Sequence, residues 1–248
     1  WRRVNQLRGV LNGTRAYAGL KRRGREGVGA AAAVPGAGLG VFRAVARLRR
    51  RLSPPGRPIR LLEKTPENCL RLPFLQALFP DARVIFLVRD GRANVHSLLE
   101  GWRQPHLFPG YRTPLPVTSP GQTRGRWAFT LIPGWRELVN RPLEEICAHQ
   151  WAVCNATVLD YAAAAGALPV LMVRYEALVA DADATLATIA GFLGLRPADI
   201  PAYGRGLPEV NVVSRPGAEK WRTEAEAIAR VTPILAPVMV RLSYSLAP

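Results

Sequence analysis

Arg89 and Ser97 stand eight residues apart, and the residues around them determine what chemistry they share. A guanidinium presents a planar fork of donors that fits a phosphate or a carboxylate, and a hydroxyl adds one more donor. The pair lies in the stretch from Val84 to Leu99. Its first five residues, Val84-Ile85-Phe86-Leu87-Val88, are apolar and mostly β-branched or aromatic, which predicts a strand buried on both faces, as in a parallel sheet. Arg89-Asp90-Gly91 ends the run, and Val95, Leu98, Leu99 and Trp102 then recur at helix spacing. A helix start offers unpaired N–H groups and a partial positive charge, both suited to an anion. This reading puts Arg89 at the C-terminal end of a strand, where open α/β sheets bind ligands. Ser97 falls two turns into the following helix. The plainer alternative is an ion pair between Arg89 and Asp90 closing the strand.

Further candidates depend on elements elsewhere in the chain. Ile59-Arg60-Leu61-Leu62-Glu63 reads as a second strand, which puts Lys64 at its C-terminal end. Thr65 is a candidate N-cap, with Pro66 at the first helical position and a helix through Leu70, Phe74, Leu75 and Leu78. Strand, helix and the strand at 84–88 would make a right-handed βαβ unit. A long helix is expected from Pro142 to Gly166, with Ile146, Trp151, Cys154, Val158 and Tyr161 near one face and His149 as a structural histidine. Leu168–Val173 reads as a third strand, with Tyr175 just past its end, and a helix over Asp183–Leu193 closes at Gly194. Arg215 and Lys220 lie in a basic loop with Gly217 and Trp221, of a kind that folds over a phosphate and stacks on a base. Residues 103–140 show little periodicity. Their prolines, arginines, Trp127 and Trp135 suit an acceptor-binding loop, a lid or plain surface.

The basicity sits apart from these candidates. Residues 1–60 hold 15 of the 34 Lys and Arg and one acid, Glu26. This segment is also rich in Gly, Ala and Pro, so residues 1–57 are expected to be a basic, low-complexity and poorly ordered arm. Such an arm can bind nucleic acid or anionic lipid, although the rest of the chain does not favour a nucleic-acid partner. Out-of-frame text from a GC-rich gene is another reading of it. The longest uncharged stretch, 27–42, is too short and glycine-rich for a transmembrane segment. Cys69, Cys147 and Cys154 form no disulfide framework or metal-ligand spacing, and a cytoplasmic location is expected.

Four motifs in order resemble sulfotransferases that use 3′-phosphoadenosine 5′-phosphosulfate (PAPS). Arg89-Asp90-Gly91-Arg92-Ala93-Asn94-Val95-His96-Ser97 is similar to the 3′-phosphate site of tyrosylprotein and bacterial sulfotransferases. Glu63-Lys64-Thr65-Pro66 resembles a second motif, Val173-Arg174-Tyr175-Glu176 a third, and Val210–Arg222 a fourth. The resemblance spans about residues 58–244. It implies an α/β domain at 58–248, a parallel sheet flanked by helices in a P-loop nucleotide-binding-like sulfotransferase fold. It implies PAPS as co-substrate, with Arg89 and Ser97 at the 3′-phosphate, Tyr175 on the nucleotide, and Arg215 and Lys220 in the loop over it. Lys64 would be the catalytic cation beside the sulfonyl group. The acceptor would be a hydroxyl or amine on a small molecule, a carbohydrate or a peptide.

Two departures from the family pattern stand out. Cytosolic members carry a catalytic His two residues after the lysine, where this chain has Pro66. The family opens on a strand and a Pro-x-Ser-Gly-Thr-Thr-type loop that holds the 5′-phosphosulfate through backbone N–H groups. Residues 1–57 do not spell that loop, and a Glu base that follows it in tyrosylprotein sulfotransferases is missing with it. No Gly-x-x-x-x-Gly-Lys-Ser/Thr run occurs either, which argues against a kinase or ATPase. The expectation is a sulfotransferase, read as a truncated and inactive fragment if the loop is lost. The alternatives are a non-catalytic adenosine-bisphosphate-binding protein or a basic nucleic-acid-binding protein.

Overall fold

The computed structural model describes residues 62–108, 110–113, 125–196 and 219–247, with isolated positions at 204, 213 and 217. The chain divides into two units, Trp1–Thr65 and Pro66–Pro248. In the first unit the described residues are Leu62–Thr65, which form neither strand nor helix. Lys64 is exposed there, and the Thr65 hydroxyl donates to the Glu63 carboxylate instead of capping a helix. The strand expected at 59–63 therefore does not reach Leu62 and Glu63, and its residues 59–61 lie outside the described ones.

The second unit is mixed α/β, with a small parallel sheet flanked by helices. It begins with a 3-10 turn, Pro66–Leu70, followed by α1, Leu72–Leu78. A single helix was expected across this region. Pro73 explains the break: it has no N–H to donate to the carbonyl four residues back, so it suits the first turn of a new helix rather than the interior of an old one. Strand β1, Val84–Val88, follows, and then α2, Gly91–Trp102. Asp90 caps α2, its carboxylate accepting from the Arg92 N–H at 2.8 Å and the Ala93 N–H at 3.3 Å.

Two short strands, β2 (Tyr111–Arg112) and β3 (Arg126–Trp127), pair antiparallel. From β3 onward the chain departs from plain surface, one of the three readings of 103–140. Trp127, Ala128, Ile132, Trp135 and Val139 are all core residues. Trp127 stands edge-on to Trp102 and Trp135, with ring centroids 5.5 and 5.7 Å away. Aromatic packing along an irregular path buries this stretch without any repeating period.

Helix α3, Leu143–Ala163, is the spine of the core. It packs against α2, against the 66–70 turn and against the last helix, α6 (Ala225–Arg241). Contacts on several sides explain why its buried residues spread around the helix, from Leu143 and Ile146 to Trp151, Asn155 and Val158. Gln150 is buried in it, accepting from the Trp102 indole at 3.1 Å and donating to the Ala128 and Thr130 carbonyls at 2.8 Å each.

Strand β4, Val170–Arg174, pairs parallel with β1, Val84 opposite Val170 and Val88 opposite Arg174. Two of the three expected strands thus share one parallel sheet. The sheet is not covered as expected, however: Leu87 is 52% exposed and Met172 45%. After β4 come α4 (Tyr175–Ala180) and α5 (Ala182–Leu193), which ends on Gly194 in the left-handed region, φ 61°. A 3-10 turn, Lys220–Glu224, leads into α6. Among the described residues no helix is long and apolar enough to cross a membrane.

Candidate functional site

The ends of β1 and β4 lie side by side, because Val88 pairs with Arg174. Each strand therefore delivers its next residue, Arg89 or Tyr175, to the same edge of the sheet. The Arg89 Nη1 donates to the Ser97 Oγ at 3.0 Å. The Arg89 guanidinium carbon lies 4.8 Å from the centre of the Tyr175 ring, a cation–π contact. All three residues are half-buried. Arg89 and Tyr175 line an open cleft of about 250 Å³ with Leu87, Asn94, Trp151 and Asn155.

The ion pair between Arg89 and Asp90 is not formed. Asp90 instead caps α2 and pairs with Arg92, Nη2 to Oδ2 at 2.8 Å. Among the described residues the Arg89 guanidinium meets a hydroxyl and an aromatic ring but no carboxylate. That leaves its charge for an external anion, and the donor set of guanidinium plus hydroxyl suits a phosphate group.

The Arg89–Asp90 peptide is held at both of its polar atoms. Its carbonyl accepts from the Trp151 indole of α3 at 3.2 Å. Its N–H donates to the Glu176 Oε1 of α4 at 3.0 Å. The other Glu176 oxygen accepts from the Tyr244 hydroxyl at 2.9 Å. Burial first, and then the neighbouring Glu176, push the Tyr244 phenol above its usual range.

The remaining expected site residues fall elsewhere. Lys64 belongs to the Trp1–Thr65 unit, whereas the cleft is built from the other. Lys220 forms an ion pair with Glu100 on α2, Nζ to Oε1 at 2.9 Å. Arg215 lies outside the described residues. Trp221 is buried, with the Arg92 and Arg222 guanidinium groups 4.7 and 5.0 Å from its ring centre. Its ring packs against protein cations rather than offering a face to a base, contrary to the expected stacking role.

Trp151, Asn94, Asn155 and Glu176 escaped the sequence reading as cleft or support residues. Trp151 was legible only as an apolar position on a long helix. Glu176 shared a motif with Tyr175, but nothing local links it to Asp90, 86 residues earlier.

Residues 37–113 match a family model described as the sulfotransferase family. The match begins upstream of residue 58, where the resemblance was expected to start. It takes in Lys64, Arg89 and Ser97 but stops before Tyr175. A stretch of 41 residues is 46% identical to a Caenorhabditis elegans protein described as "Putative protein-tyrosine sulfotransferase", covering 16% of this chain and 16% of that protein. A Caenorhabditis briggsae protein of the same description is 44% identical over 41 residues, covering 16% of this chain and 15% of that protein. The aligned part of the chain thus spans about a sixth of the length of these relatives. No solved structure matches. The matched stretch, residues 37–113, contains the strand–turn–helix that carries Arg89 and Ser97, and over that stretch the chain is similar to the sulfotransferase family.

Proposed function

We propose that this chain is a sulfotransferase that takes its sulfonyl group from PAPS, and that the Arg89 cleft receives the 3′-phosphate of the donor. The observation that carries the reading is the convergence of Arg89 and Ser97 at 3.0 Å, at the end of a parallel strand, with no carboxylate on the guanidinium among the described residues. Tyr175, in contact with Arg89, supplies an aromatic face for the nucleoside.

In the proposed reaction an acceptor hydroxyl or amine attacks the sulfur. A bond forms from the acceptor atom to sulfur, and the bond from sulfur to the bridging phosphate oxygen breaks. The acceptor's proton goes to a base, and adenosine 3′,5′-bisphosphate leaves carrying the negative charge. Lys64 is assigned to the sulfonyl end, where its cation would offset charge on the leaving oxygen. Arg215 and Lys220 are assigned to a loop over the nucleotide. For Lys220 that role requires exchanging Glu100 for a phosphate.

Calorimetry with adenosine 3′,5′-bisphosphate and adenosine 5′-monophosphate tests the reading. The bisphosphate is expected to bind more tightly, and Arg89→Ala to remove that preference. A charge-assisted hydrogen bond contributes roughly 1.5–3 kcal/mol, so the loss should be about one to two decades in Kd. Equal binding of the two nucleotides, or equal losses for Arg89→Ala and Lys64→Ala, would overturn the assignment.

A further inference from the structure

We infer that Trp151 and Glu176 are positioning residues for the anion site, acting through the single peptide unit between Arg89 and Asp90; this rests on the reading of Arg89 as a phosphate-binding residue. That peptide has two polar atoms, and each is taken by a side chain from a different element. Trp151 of α3 donates to its carbonyl at 3.2 Å, and Glu176 of α4 accepts from its N–H at 3.0 Å. Held from both sides, the peptide plane cannot rotate, and its orientation determines where the Arg89 side chain leaves the strand and where the Asp90 cap begins α2.

The surroundings leave little freedom for either clamp. Trp151 is 3% exposed, and a Cβ placed on Gly91 would lie 3.2 Å from its ring, so the indole packs directly against the first turn of α2. Glu176 is fixed in turn by the Tyr244 hydroxyl at 2.9 Å on its second oxygen. The Arg174 guanidinium lies 4.4 Å from the Tyr244 ring centre and donates to the Leu242 carbonyl at 2.6 Å. The C-terminal end of the chain, through Tyr244, thus braces the turn that presents Arg89. Preorganised geometry of this kind matters for a bidentate group, because a guanidinium loses its fork match when its stem swings.

The test is the ratio of Kd values for adenosine 5′-monophosphate and adenosine 3′,5′-bisphosphate, measured by calorimetry on the full chain beside thermal melts. Trp151→Phe keeps a ring against Gly91 but removes the indole donor. Glu176→Ala removes the acceptor, and Glu176→Gln keeps one. Trp151→Phe is expected to lower the ratio about three- to tenfold, the range of one neutral hydrogen bond, and Glu176→Ala, which removes a carboxylate acceptor, by roughly tenfold or more, while Glu176→Gln restores most of it. In an Arg89→Ala background neither change should alter the ratio further, because both act through Arg89. Lower melting temperatures with an unchanged ratio would reduce the two residues to packing and overturn the proposal. A wild-type chain with no preference for the bisphosphate would instead show that the phosphate site itself is wrongly read, and the positioning roles would fall with it.

Discussion

The Arg89 guanidinium and the Ser97 hydroxyl meet at 3.0 Å although eight residues separate them. The strand ends at Val88, Asp90 starts the helix, and two turns of α2 bring Ser97 back towards the strand end. Ser97→Ala removes a neutral donor and should weaken adenosine 3′,5′-bisphosphate binding by about 1 kcal/mol, less than the Arg89→Ala loss. Lys64→Ala should leave binding of this product unchanged and, in a longer chain that carries the 5′-phosphosulfate loop, lower turnover with PAPS. Calorimetry on the three variants, with a turnover assay for the third, checks the order.

Gln150 carries a buried network that stability measurements can read. Its amide serves the Trp102 indole and the carbonyls of Ala128 and Thr130. Gln150→Leu leaves the Trp102 indole N–H and the Ala128 carbonyl without this partner, whereas the Thr130 carbonyl keeps the Trp127 indole at 3.1 Å; each unsatisfied group costs about 1–3 kcal/mol. Urea denaturation should show a loss of at least about 2 kcal/mol. A loss below about 1 kcal/mol would mean that water or neighbouring groups take over these bonds.

Gly110 is required by both its conformation and its surroundings. Its φ is 64°, and a Cβ added there would lie 2.2 Å from the Trp127 carbonyl oxygen. Gly110→Ala should lower stability by roughly 1–3 kcal/mol, the scale of a residue forced against its allowed backbone region, and the collision adds to that. Thermal unfolding of the variant measures it.

His96 predicts a pH dependence with a definite sign. The ring is 5% exposed, and burial lowers its pKa against the opposing pull of Glu100 and Glu224; the Lys220 and Arg103 charges lower it further. Glu100 lies 3.7 Å from Nδ1 and the Thr223 hydroxyl 3.3 Å from Nε2. Because the folded value lies below the unfolded one, the unfolded chain binds the proton more readily. Stability should be fully present above the ordinary imidazole value of 6.5 and fall as pH drops through it. His149, also lowered by burial, adds to the same trend. Melts between about pH 7.5 and pH 5 should show a smaller decline for His96→Gln than for wild type.

The elements that carry the candidate site were legible locally. Val84–Val88 and the helix after Gly91 follow from an apolar run, a breaker and a helical period, all within twenty residues. Arg89 and Ser97 could be paired on that basis, since both positions depend on one strand–turn–helix. The residues at 168–173 and 183–194 were legible for the same reason, with Gly194 ending its helix as its freedom at positive φ allows.

Longer-range relationships required the tertiary structure. The parallel pairing of β1 with β4 brings Tyr175 to Arg89, and strand pairing across some eighty residues leaves no mark on local pattern. Trp151 and Glu176 meet one peptide only because α3 and α4 both bring a side chain to the Arg89–Asp90 turn. Trp127 and Trp135 carry no local signature of burial because an irregular path has no period, and one of the two guanidinium groups against the Trp221 ring, that of Arg92, comes from the distant helix α2. Residue type and spacing determine which local element forms and which chemistry a side chain offers. Which other side chain meets it depends on packing between distant elements, whose energy comes from buried area and shape rather than from any short stretch of sequence.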